Sequence, residues 1–406
     1  MQILLVHQNF PGQYRQLAPA LKALGHQVVA IAAHDRPVAG DFEVRRYDPS
    51  FEPIPHLPPG LASLQEHWQR AEQVAVLGWE LRQQGFMPDI CLAHSGWGEA
   101  LLLKDVWPGT KLLLYPEIYA RPEALGYGFD PGLPPEPPLE QRIALRHQNQ
   151  RTIQALSLAD AGIVPTEYQR RSFPEREQTW LHRIHDGIDT VTCHPRPGRV
   201  LCLEAGLALS RQDKLVTLVN RNLEPTRGFP QFMRAIPAIQ AQHPDAWFLI
   251  VGGDSVSYSP ARPDGRSYRE AMLAELEGQI NLERVRFLGR LPYEQLIALL
   301  QASSAHVYFT TPYVLSWSML EAMSCGALIV GSRTAPVEEV LRHGDNGLLV
   351  DFFDTAALAE TISQVLDQPE AFEHLRRQAR RTILDHYDLP DCLLRQLQLI
   401  HQLIRS

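Results

Sequence analysis

The chain has 406 residues, 45% of them apolar and 21% charged; that is material for two or three domains and excludes wholesale disorder. Its 46 acidic against 38 basic residues give a formal charge of −8, which excludes a nucleic-acid binder working through bulk charge. No apolar run approaches the roughly 18 residues that cross a bilayer, and five scattered cysteines without a C-x-x-C speak against a disulfide framework or a zinc site and for a reducing cytoplasm.

Met1-Gln-Ile-Leu-Leu-Val-His7 lacks the basic flank and cleavage site of a signal peptide, so residues 2–6 read as an apolar strand. A turn over 9–13 leads to a helix over 14–24 with apolar residues at i, i+3 and i+4, closed by Gly25, and to a strand over 26–32. Strand, glycine turn, helix, strand is a βαβ unit and implies a parallel sheet. Strands over 42–46, 89–93, 111–115 and 161–164 alternate with helices over 61–84, 99–106, 139–158 and 167–173. A last short strand falls within 183–189. Pro195, Pro197 and Gly198 mark a linker at 192–200, between a domain of residues 1–191 and one of residues 201–390.

The alternation then restarts. Strands are expected over 215–219, 247–251, 285–288, 305–309, 328–331 and 347–350. Helices are expected over 229–242, 268–280, 292–302, 316–323, 337–342, 355–366, 369–386 and 391–404, and 255–266 is a polar loop with prolines. The fold class is α/β: two doubly wound, Rossmann-like domains in tandem, facing across a cleft.

Ligands of such sheets gather at the carboxyl ends of strands, near helix N-termini. Strand ends alone single out Gly12, residues 94–98, Glu117, Arg221, Gly252 with Gly253, Gly289 with Arg290, and residues 316–321. Gly12 would let backbone approach a phosphate, although one glycine in a turn is equally a plain turn. Arg221 and Arg227 flank a strand-to-helix loop, where two guanidiniums suit a phosphate. The amides of Ser316, Trp317 and Ser318 would open a short helix and seat a diphosphate. Glu321, one turn on, would accept hydrogen bonds from ribose hydroxyls. Its neighbours Met319, Leu320, Ala322 and Met323 are apolar, so its charge needs a partner. No metal site is expected: Asp-x-Asp is absent, and His182 with His185 has no ligand-rich segment beside it.

Leu320-Glu-Ala-Met-Ser-Cys-Gly-Ala-Leu-Ile-Val330, then Pro336-Val-Glu-Glu-Val340 and Gly344-Asp-Asn-Gly-Leu-Leu-Val350, resembles the C-terminal signature of family 4 retaining glycosyltransferases of the GT-B fold (glycosyltransferase group 1). The resemblance runs upstream through Arg227-Gly228-Phe229, Phe248–Gly253 and Asp186-Gly-Ile-Asp189 to the opening segment. It implies that the C-terminal domain holds a nucleoside-diphosphate sugar, a UDP-sugar or GDP-sugar, with no further cofactor. The N-terminal domain would take the acceptor, a carbohydrate, lipid-linked or small molecule, and the final helix, 391–406, would pack back on that domain. Arg221 and Arg227 would grip the diphosphate; the family usually has lysine at the second position.

Glu321 matches the second, ribose-binding glutamate of the family's Glu-x7-Glu motif. The first is replaced by Tyr313, and the aromatic-glycine pair after it by Leu315-Ser316. Where the family commonly has a histidine, this chain has Glu117, which joins Arg221 and Arg227 as a catalytic candidate. His94 and Tyr119 are candidates for contacting sugar or acceptor. The implied reaction is metal-independent transfer with retention, by same-face attack assisted by the leaving phosphate. Another GT-B enzyme (a nucleotide-sugar epimerase or a sugar phosphorylase) and a non-catalytic nucleotide-sugar-binding protein are the alternatives. The basic run Arg376, Arg377, Arg380 and Arg381 reads as a solvated helix face, with peripheral membrane contact the less favoured reading.

Overall fold

The alternation folds into two units in the computed structural model, which describes residues 1–34, 36–52, 54–203 and 206–405. The first unit is Met1–Gly187 with the segment from Pro390 on; the second is Ile188–Leu389. The sequence expectation placed residues 188–191 with the first domain and 192–200 between the two; in the structure all of them go with the second unit.

Seven parallel strands build the first unit: β1 (Gln2–Val6), β2 (Gln27–Ala32), β3 (Glu43–Arg46), β4 (Ile90–His94), β5 (Lys111–Tyr115), β6 (Ala161–Val164) and β7 (Leu181–Arg183). Their order is β3-β2-β1-β4-β5-β6-β7, with Gln2 opposite Gln27 on one side of β1 and Ile3 opposite Ile90 on the other. The sheet is buried on both faces because side chains alternate. Leu4 and Val6 join one core with Val29, Cys91 and Leu114. Ile3 and Leu5 join the other with Ala30, Leu92 and Leu113, and the last helix, Leu389–Arg405, adds Leu399 and Ile400 to it.

Two helices differ from expectation for local reasons. The first helix is Leu17–Ala23, preceded by a 3-10 turn at Gly12–Tyr14. Pro19 thereby falls in its first turn, where a missing N–H costs nothing. The helix expected from residue 99 is only Leu103–Val106, since the Gly98 backbone lies against His67.

In the second unit β8 (Leu201–Cys202) and β9 (Ala208–Leu209) form a small antiparallel pair that the sequence did not signal. Six parallel strands follow: β10 (Leu215–Asn222), β11 (Trp247–Gly253), β12 (Val285–Gly289), β13 (Ala305–Tyr308), β14 (Ile329–Ser332) and β15 (Leu348–Val350), in the order β12-β11-β10-β13-β14-β15. In both sheets the chain reverses its direction of winding beside the first long strand. The two switch points are β1/β4 and β10/β13, where doubly wound sheets open a crevice for ligands.

Candidate functional site

At the β10/β13 switch point, Arg221 ends β10 exposed and Arg227 turns inward, 6% exposed. The turn is forced: Gly228 adopts φ +67°, and a Cβ there would lie 2.2 Å from Phe309. Only glycine brings the loop this close to β13. The Nη1 of Arg227 donates to Thr310 Oγ1 (2.9 Å), the Val314 carbonyl (2.9 Å) and Tyr308 Oη (3.3 Å). Its guanidinium lies 5.1 Å from the ring centre of Tyr258 and 5.8 Å from that of Tyr313, within cation–π range. The two rings are 5.1 Å apart.

Tyr258 is delivered by a loop that the sequence showed only as polar. Glu224, fully buried, anchors that loop: its Oε2 accepts the N–H groups of Ser257, Tyr258 and Ser259 at 2.9–3.0 Å. Asn222 and Thr226 add bonds to Ser255, Ser257 and Ser259. A charged acceptor on three amides is a strong clamp, and no spacing in the sequence announces it. Gly253 sits beside both Arg290, which is exposed, and the Arg221 backbone. Gly252 and Gly289 occupy the ends of β11 and β12.

The expected row of open amides is altered. The Ser316 N–H donates to Tyr308 Oη (2.7 Å), and the Ser318 N–H donates to Ser316 Oγ (3.3 Å), because Ser316 caps the helix Trp317–Ser324 itself. Those two donors are spent within the protein. Glu321 is buried, at 5% exposure, and accepts from Tyr293 Oη at 2.9 Å. Burial and the Glu321 carboxylate push the Tyr293 phenol well above its ordinary range, so it remains a donor. This is the partner the apolar surroundings demanded. Tyr313 packs beside the Arg227 guanidinium.

The β1/β4 switch point of the first unit carries different chemistry. His7 follows β1 and His94 ends β4; both are buried, with rings 5.0 Å apart. The Asn9 N–H donates to His7 Nδ1 and the Gly96 N–H to His94 Nδ1, which places the proton of each neutral ring on Nε2. His7 Nε2 then donates to Gln13 Oε1 at 2.6 Å. Burial, with His94 beside it, pushes His7 down to about 3, so it is neutral at pH 7. Trp97 stacks on His94 at 4.4 Å, and Tyr115 flanks it at 5.8 Å.

Glu117 lies at φ +55°, unusual for a glutamate, with Oε2 3.7 Å from His94 Nε2. Gly12 belongs here: at φ +46°, a Cβ would strike the His7 ring at 2.3 Å, so its close approach serves a histidine. Buried Glu99 accepts from Tyr47 Oη at 2.7 Å and is pushed up by burial. Tyr119 stands apart: its N–H donates to Ser172 and its ring packs on Phe173. His182 is exposed, and His185 is buried with Nδ1 taken by the Gly187 N–H. Among the described residues no group of three His, Cys, Asp or Glu side chains converges as a metal site. Nor is any helix long and apolar enough to cross a membrane.

Sequence reading missed His7, Glu99, Tyr258 and Glu224. His7 was findable as the residue after the first strand; the others needed the fold.

Two family models match the chain. The model described as glycosyl transferase family 4 group matches residues 24–193, and that for glycosyl transferases group 1 matches residues 208–382. The chain carries glycosyl transferase family 4 and group 1 domains, one after the other. Among curated relatives of this family 4 chain, a D-inositol 3-phosphate glycosyltransferase of Mycolicibacterium vanbaalenii is 28% identical over 57% of this chain and 49% of the relative. The chain thus spans about half the length of the curated relatives it matches. Sucrose-phosphate synthase from Thermosynechococcus elongatus has a TM-score of 0.71 at 19% identity, covering 100% of this chain and 99% of that one. Anabaena HepE in complex with UDP-glucose has a TM-score of 0.66 at 14% identity, covering 99% and 100%. These likenesses give the family 4 chain its fold, GT-B, with two parallel Rossmann-like sheets.

Proposed function

We propose that this chain is a retaining glycosyltransferase that moves a sugar from a nucleoside-diphosphate donor to an acceptor hydroxyl, without a metal ion. The observation that carries the reading is Arg227: a buried, permanently charged guanidinium at the β10/β13 switch point, with Arg221 at the end of β10 and Arg290 just past β12. Preorganised cations stabilise a departing diphosphate where charge develops. Glu321 takes the ribose hydroxyls, exchanging or sharing them with Tyr293. The UDP-glucose held by HepE makes a UDP-sugar the first donor to try.

The Ser318 and Trp317 end of the helix supplies a favourable dipole, while its Ser316 amide serves the fold. The acceptor hydroxyl loses its proton to the leaving phosphate as its oxygen attacks the anomeric carbon from the same face. The first unit's neutral histidine group, with Glu117, His94 and Gly12, suits an uncharged polyhydroxyl acceptor better than a phosphate. We place the enzyme in the cytoplasm, a setting in keeping with its five free cysteines.

The test is turnover of a panel of UDP- and GDP-sugars with and without EDTA, with the anomeric configuration of the product read by NMR. EDTA inactivation reversed by Mn²⁺ refutes charge neutralisation by arginine. Donor binding without turnover, across acceptors, leaves a binding protein; a changed sugar on donor alone leaves an epimerase.

A further inference from the structure

Only half of the basic run on the helix Glu373–His386 is a solvated face: Arg377 and Arg381 are exposed, whereas Arg376 and Arg380 turn inward. Arg376 is 3% exposed and Arg380 half-buried. Both reach carbonyl groups: Arg376 Nη2 donates to Ser304 O (2.7 Å), and Arg380 donates to Cys193 O and Ser324 O (both 2.7 Å). Arg211, from another segment, donates to Gln301 O and Gly326 O (2.9 and 3.1 Å). Apart from Cys193 O, these carbonyls lie at or just past the C-terminal ends of the helices Tyr293–Ala302 and Trp317–Ser324, where partial negative charge gathers.

Carbonyls fix a guanidinium in place but do not neutralise it. With Arg377 and Arg381, these arginines line a cavity of about 290 Å³, where Glu373 is the one acidic residue among the described lining residues. Glu373 is half-exposed, and its Oε1 lies 3.6 Å from Arg376 Nε and 3.9 Å from Arg211 Nη1. The Arg376 Nε is buried without a hydrogen bond. Arg377 has no hydrogen bond or ion pair among the described residues, and Arg381 pairs only with Asp385 on its own helix. Burial and the like charge of Arg211 push Arg376 down to about 10, still charged at neutral pH. Five cations against two carboxylates, Glu373 and Asp385, around a buried donor without a hydrogen bond, form a site suited to an anion. Pro195 and Leu384 add apolar wall.

We propose that this pocket of the second unit binds a phosphate monoester carrying a small organic body. Guanidiniums match the monoester's dianion, and the cavity holds the volume of about ten waters at ~30 Å³ each. None of the candidate nucleotide residues lines it. It lies at the far end of the helix Trp317–Ser324 from the Ser316 cap, about 12 Å of helix away.

The experiment is calorimetric titration of the full chain, saturated with UDP, with glucose 6-phosphate and with inorganic phosphate. It is repeated on the double variant Arg377→Ala/Arg381→Ala, whose side chains hold no carbonyl. Saturable binding that the double variant weakens roughly tenfold or more, with unchanged melting temperature and unchanged UDP affinity, is the expected result. Vesicles of phosphatidic acid in phosphatidylcholine separate the sources. Pelleting that depends on Arg377 and Arg381 assigns the monoester to a lipid headgroup; titration without pelleting assigns it to a soluble metabolite. No binding up to millimolar ligand in either arm, or equal binding by the double variant, overturns the proposal. Because the readout is phosphate binding, it stands or falls independently of donor chemistry.

Discussion

The two switch points share a topology and differ in charge. At β1/β4 the chain gathers neutral rings, with His7 and His94 each locked by the N–H two residues on. At β10/β13 it buries a cation among tyrosines and braces it with a carboxylate-held loop. A doubly wound sheet thus fixes where a ligand sits and leaves its chemistry to three or four side chains. On the proposed reading, the first site takes hydroxyl groups and the second a diphosphate.

The hardest blow to that contrast is Arg227→Ala. It should weaken UDP binding by about 2–5 kcal/mol, the cost of truncating one member of a buried charge pair, while leaving acceptor binding to the first unit intact. Calorimetry with UDP checks it, and an affinity loss below tenfold moves the phosphate seat elsewhere.

Acid should separate the units by stability. Burial holds His7 and His67 at about 3 and His185 at about 4 in the first unit, and His306 at about 3 in the second. Their folded values lie below the unfolded one of 6.5, so the unfolded chain binds more protons once pH drops below it. Stability is therefore lost on acidification, by up to about 1.4 kcal/mol per pH unit for each histidine. From these groups, the first unit should lose more between pH 6.5 and 5 than the second. Hydrogen exchange across that range reads both; equal losses would show the histidines of the first unit are not buried neutral.

Glu321→Ala should cost about 1–3 kcal/mol in UDP affinity by leaving Tyr293 and the ribose half-paired. Unchanged affinity removes Glu321 from the nucleotide site. Tyr313→Ala has the smallest effect. Removing one ring from the Arg227 guanidinium should weaken bare UDP by about 0.5–2 kcal/mol, and discrimination among sugars on one nucleotide should change as well. A UDP affinity equal to wild type, with altered sugar preference, would make Tyr313 a sugar contact alone.

Much of this was legible because strand ends are legible. Apolar runs placed β1, β4, β10 and β13, and the strand-end rule then found Gly12, His94, Glu117, Arg221 and Glu321 without reference to contacts. What escaped was whatever depends on a remote backbone. Ser316 reads as an open helix start until Tyr308 is seen to take its amide. Arg376 and Arg380 read as solvated until the carbonyls of Ser304, Cys193 and Ser324 are brought beneath them. Tyr119 reads as a strand-end contact until Phe173 packs against it. Glu224 sits only three residues past Arg221, yet its three amide donors come from 33 to 35 residues further on.

Glu117 is a place where the molecule keeps a residue against its own comfort. Its backbone at φ +55° suits asparagine or glycine, and holding a glutamate there stores strain that the rest of the fold must overcome. Glu117→Asn should therefore melt at a higher temperature than the natural chain while transferring sugar more slowly, and a thermal scan beside a turnover assay reads both. A lower melting temperature for Glu117→Asn, or unchanged turnover, would leave the carboxylate beside His94 without a cost to explain.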